Sequence, residues 1–111
     1  MTVRLPAHVE ISALVRAAQS AGGFATVIAK GERDAGTLAI VTMERAANAR
    51  FWDRMPQLDG SRRFEVAREQ DAEKPAEFAE YLRRRAAQDP DLWIVELDCP
   101  DAERVLTATL G

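Results

Sequence analysis

The sequence predicts an α+β fold, an antiparallel sheet of about five strands with two helices packed on one face. Three observations carry this: helical spacing of apolar residues at two places, five short runs rich in β-branched and aromatic residues, and turn-forming residues between those runs. With 111 residues, the chain leaves too little apolar surface for two separate cores, so residues 1–111 read as a single domain. A composition of 47% hydrophobic and 30% charged residues is that of a globular chain with a real core.

The first helix is expected from Val9 to Ala21. Ile11, Leu14, Val15 and Ala18 recur at the spacing that lines one helical stripe, Pro6 suits the entry, and Gly22 suits the exit. Phe24 to Lys30 and Thr37 to Met43 then read as strands. The short connection from Gly31 to Gly36 predicts that they pair as an antiparallel hairpin.

A turn at Ala46-Ala47-Asn48 leads to a strand from Ala49 to Arg54, and Pro56, Asp59 and Gly60 lead to another from Arg62 to Ala67. The expected register sets Phe51 opposite Phe64 and Ala49 opposite Val66 on one face. It sets Arg50 opposite Glu65 and Trp52 opposite Arg63 on the other. Pro75 opens the second helix, whose buried stripe is Phe78, Tyr81, Leu82 and Ala86, and Asp89-Pro90 closes it. Leu92 to Leu97 is a strongly apolar fifth strand, open to pairing with either the first or the fourth, and Ala102 to Leu110 fits a short helix or a strand.

The run Ile11-Ser12-Ala13-Leu14-Val15-Arg16, the segments Gly22 to Val27, Lys30-Gly31 and Asp34 to Gly36, and Asp89-Pro90-Asp91-Leu92-Trp93-Ile94-Val95-Glu96 together resemble domain-of-unknown-function family 1491. The resemblance spans residues 8 to 97, and its most specific piece is Asp-Pro-Asp-Leu-Trp leading into an apolar strand. It implies short alphaproteobacterial relatives with no assigned activity, and so a fold without a mechanism.

Charge and cysteine usage remove several classes of function. The net charge of −3, with acidic and basic residues interleaved, argues against generic attraction to nucleic acid. Cys99 is the only cysteine, so no internal disulfide forms, and a reducing, cytoplasmic setting is expected. Pro6, Glu10 and Arg16 interrupt any leader-like apolar stretch, and no run is long enough to span a membrane. His8 is the only histidine, and it reads as a helix-entry residue rather than the centre of a triad or metal site. The Gly31–Gly36 connection lacks the spacing of a phosphate-binding loop. No cofactor, metal or catalytic residue is therefore expected.

What remains is a set of candidate contact residues. Asp89, Asp91 and Glu96 fit a carboxylate cleft that would work with an Arg, although Asp-Pro-Asp is also ordinary turn chemistry. Arg50, Trp52, Arg54 and Arg63 fit a stacking platform for single-stranded RNA, or equally a solvated face of paired charges. The first, second and fifth strands are apolar on both faces. Two helices on one face leave the other to be covered by the C-terminal segment or by a second copy, with Trp93 or Trp52 as anchor. The leading expectation is thus a cytoplasmic binding or structural module acting through a homodimeric or partner interface. A small enzyme or ligand-binding protein and an RNA-contacting module are the alternatives.

Overall fold

The computed structural model describes residues 5–111, so the first four residues of the stretch weighed above as a leader lie outside it. The elements run α1 (Ala7–Ser20), β1 (Phe24–Ala29), β2 (Leu38–Glu44), β3 (Ala47–Pro56), β4 (Arg62–Glu69), α2 (Pro75–Gln88), β5 (Trp93–Asp98) and α3 (Ala102–Leu110). All the predicted strands and both predicted helices are present, and the C-terminal segment left open by the sequence is a third helix.

The sheet order is β1-β5-β2-β3-β4, and two expectations fall with it. First, β1 and β2 do not form a hairpin, because β5 lies between them. Second, the sheet is mixed rather than antiparallel: β5 pairs antiparallel with β1 and parallel with β2. The physical reason lies in β2 and β5 themselves. Leu38, Ala39, Ile40 and Val41, and Ile94, Val95 and Leu97, are apolar on both faces, and strands of that kind belong in the middle of a sheet covered on both sides.

Both sides of β2 and of most of β5 are covered within one protomer. On one face α1 and α3 lie over Leu38, Ile40, Trp93, Val95 and Leu97, contributing Ala7, Ile11, Leu14, Ala18, Ala102 and Leu106. On the other, α2 sets Phe78, Tyr81, Leu82 and Ala86 against Ala39, Val41, Phe51 and Ile94. The expectation of two helices on one face is therefore corrected to three helices on two faces. Where the sequence offered the C-terminal segment or a second copy as the cover of the second face, α2 covers it, and the C-terminal helix joins α1 instead.

Local structure follows the sequence chemistry closely at α1. Gly22 adopts φ +86, and the N–H groups of Gly23 and Gly22 donate to the carbonyls of Ala18 (2.9 Å) and Gln19 (3.1 Å), the paired bonds of a Schellman ending. At the other end no side chain caps the helix; the N–H groups of Ala7 and His8 donate to the carbonyls of Asp34 and Arg33 instead. The Gly31–Gly36 loop thus caps α1. A Cβ at Gly31 or Gly36 would collide with the Asp91 backbone, so these glycines serve close packing rather than phosphate binding.

Two details of register were not as expected. In the β3–β4 pair Trp52 faces Val66 instead of Arg63, and Phe51 faces Arg68 instead of Phe64, with a bulge between Phe51 and Trp52. A slip of an odd number of residues turns a strand over. Trp52, Arg54, Phe64 and Val66 accordingly share the α1 face, while Phe51 and Asp53 face α2. The β2–β3 turn is centred on Arg45 and Ala46, one residue earlier than predicted, with φ of 52° and 60°. Two successive positive φ values suit a type I′ hairpin turn, normally made by Asn-Gly. Here the Asp98 carboxylate stabilises it by accepting the N–H groups of Arg45 (2.8 Å) and Ala46 (3.0 Å).

Candidate interaction surface at the β1 edge

Most of the charged and aromatic residues singled out by the sequence hold helices to the sheet. Arg54 donates two hydrogen bonds to Glu10 of α1 (2.9 and 2.7 Å), with both side chains largely buried and the guanidinium over the Phe64 ring. Its neighbour Asp53 points the other way and accepts a two-toothed contact from Arg85 of α2 (2.7 and 2.8 Å). Arg50 bridges Glu69 on β4 and Glu103 on α3. One strand, β3, therefore ties down all three helices. The pairing expected for Arg50 with Glu65 is replaced by these, and the Trp52 ring, expected opposite Arg63, is approached by the Arg50 guanidinium instead.

The tryptophans are likewise engaged. Trp93 is buried, and its indole N–H donates to the Glu32 carbonyl (2.6 Å), holding the β1–β2 loop over the core. Trp52 is half-buried and donates to Thr42 Oγ1 (2.8 Å). Neither stands on a sheet edge as an interface anchor would. Trp52 and Arg63 do share the wall of a cleft of about 500 Å³ between β4 and α3, but Arg50 and Arg54 are not part of its lining.

The carboxylates do not converge. Asp89 Oδ1 accepts the N–H of Asp91 (3.1 Å) in a turn, and the Asp91 carbonyl accepts the N–H of Glu32 (3.2 Å). Glu96 lies further along β5, roughly 15 Å from Asp91 at the rise of an extended chain. Among the described residues no group of three His, Cys, Asp or Glu side chains is placed to hold a metal ion. Cys99 is buried, and burial, then Asp98, Glu44 and Asp101, push its thiol pKa up, away from a reactive thiolate.

Glu96 is on the α2 face, opposite Thr26, with no salt bridge among the described residues to offset its half-burial. Burial, then Asp98, raises its pKa. A carboxyl whose pKa is higher folded than unfolded costs stability above its folded pKa and nothing below its unfolded one. Glu96→Gln is therefore expected to raise stability at neutral pH, with the gain shrinking as pH falls through the raised folded pKa and gone below about pH 4; urea unfolding at neutral pH and at about pH 4 measures this.

Glu96 marks a region that α2 leaves open, and that region runs to the sheet edge at β1. The edge strand Phe24–Ala29 contains no charged residue. Phe24, Val27 and Ile28 are 57%, 44% and 42% exposed. Ile28 sits at a bulge, so the register jumps from Val27 opposite Val95 to Ala29 opposite Ile94. The opposite edge differs sharply: of its eight residues, β4 carries Arg62, Arg63, Glu65, Arg68 and Glu69. Charges of this kind are how a free edge resists pairing with another chain. One edge of the sheet is protected and the other is not, a contrast visible in the sequence once the strand order is known and invisible before.

Fold and surface together define a small α+β protein, a mixed five-stranded sheet between helical layers, with a single uncharged open edge. The chain belongs to the DUF1491 family, described as a protein of unknown function, whose model matches residues 5–107. It is similar to the crystal structure of a DUF1491 family protein from Caulobacter crescentus, at 31% identity over 94% of this chain and 96% of that one, with a TM-score of 0.81. It is also similar to the solution structure of a protein from A. tumefaciens, at 32% identity over 95% and 94% of the two chains, with a TM-score of 0.74. No curated protein matches the chain. No helix among the described residues is long and apolar enough to cross a membrane.

Proposed function

We propose that this protein is a cytoplasmic binding module, not an enzyme, that associates with a second copy of itself by extending its sheet at β1. The observation that carries this is the contrast between the two edges: six uncharged residues with three exposed apolar side chains on β1, against five charged residues on β4. An unpaired strand offers a row of N–H and C=O groups to another strand, and pairing two such edges joins the sheets while withdrawing Phe24, Val27 and Ile28 from water. A second copy is the occupant this surface favours. Any pairing of Phe24–Ala29 with itself sets neutral residues against neutral ones, so no unpaired charge is buried.

Ile28→Lys uses the device that protects natural edges, at a position already exposed. Sedimentation equilibrium is expected to give a dimer for the wild-type chain and a monomer for the variant, with the circular dichroism spectrum unchanged. A wild-type chain that stays monomeric across the accessible concentration range would refute the proposal.

A further inference from the structure

β1 has acids beside its start and a lysine immediately past its end. At its start, Phe24 lies opposite Asp98, and a pocket of about 350 Å³ opens between Gly23 and the Arg45–Ala46 turn, with the acids Glu44 and Asp98 and the single cation Arg45 in its lining. Just past its far end stands Lys30, exposed, with no ion pair among the described residues; beyond it exposed Arg33 lies between the exposed acids Glu32 and Asp34, so Lys30 is the cation nearest the strand. Resting on the association proposed above, we infer that the two copies meet antiparallel, with Lys30 of each reaching into the pocket beside Phe24 of the other.

Geometry and charge agree on this arrangement. When residues 24–29 of two chains run in opposite directions and overlap end to end, residue 30 of one falls beside residue 23 of the other, at the mouth of the pocket. A lysine has a long flexible stem, which lies along apolar surface such as Phe24 while the ammonium group reaches the acids. A parallel, in-register arrangement would instead bring Lys30 against Lys30, far from the acids beside Phe24, and like charges set opposite each other disfavour a register. Two-fold symmetry repeats each favourable contact, so any single substitution acts twice.

A charge exchange tests the inference. Lys30→Glu and Glu44→Lys alter exposed side chains, so each variant is expected to keep the wild-type unfolding curve as a dilute monomer. Each alone places like charges in both pockets, and its dissociation constant is expected to rise by at least about tenfold. Mixed in equal amounts they form a heterodimer in which both pockets hold opposite charges, and sedimentation of the mixture is expected to recover association. If the wild-type chain dimerises while Lys30→Glu leaves its dissociation constant unchanged, or the mixture recovers nothing, the antiparallel placement is wrong and sheet extension stands. If the wild-type chain never dimerises, sheet extension fails as well.

Discussion

Arg54→Ala is expected to lower the unfolding free energy by about 3–5 kcal/mol, the usual cost of removing one member of a buried ion pair. The reason is what the substitution leaves behind. Glu10 is 7% exposed and its two carboxylate oxygens each accept a hydrogen bond from the Arg54 guanidinium, so truncation strands a carboxylate against α1 and β3. Domains of this kind have a total stability of about 5–15 kcal/mol, so the variant should unfold at a much lower urea concentration. Replacing both partners, as Glu10→Leu with Arg54→Met, removes the stranded charge and is expected to recover most of the loss. A single variant that melts like the wild type would show that the pair does not hold α1 in place.

Phe51→Ala should cost about as much, roughly 3–5 kcal/mol, for a different reason. Phe51 is completely buried, meets Tyr81 of α2 edge-to-face with ring centroids 5.2 Å apart, and lies under the Arg85 guanidinium at 5.1 Å. Truncation leaves a cavity under α2 and removes the surface on which Arg85 rests while bound to Asp53. Phe51→Leu keeps most of the volume and is expected to lose far less. Urea denaturation of both variants provides the measurement. A loss below about 1 kcal/mol for Phe51→Ala would mean that α2 is not seated as described.

Side by side, these two residues explain what the sequence could and could not convey. The elements were legible because each depends on local chemistry: the stripe of Ile11, Leu14 and Ala18, the exit at Gly22, Pro75 at the first turn of α2, the apolar run at β5. The two-sided apolar character of β2 and β5 was legible too, and it correctly marked them as covered on both faces. What covers them was not, since nothing local distinguishes a helix on one face from a helix on the other. That choice is made by Asp53 and Arg54, adjacent residues pointing to opposite faces, with partners 32 and 44 positions away. The β3–β4 register also escaped, because the extra residue at the bulge near Ala67 has no distinguishing composition. As for the candidate surface, the residues that looked chemical, Arg50, Trp52, Arg54 and Trp93, were occupied in holding the fold. The uncharged run Phe24–Ala29 was read with the second and fifth strands as apolar on both faces, and it reads as an ordinary interior strand until β4 and β1 are known to be the edges; Phe24, Val27 and Ile28 are exposed there instead of covered.

The position of β5 between β1 and β2 also governs how the chain can assemble. Within the sheet Phe24–Ala29 pairs only with Trp93–Asp98, made some seventy residues later, and α1 packs on that late strand and on α3, which is later still. While the polypeptide emerges from the ribosome, α1 and β1 therefore have no sheet to dock on. A break before Trp93 would not trim one strand from a finished sheet; it would leave the N-terminal third unsupported, with an apolar, uncharged segment exposed to aggregation.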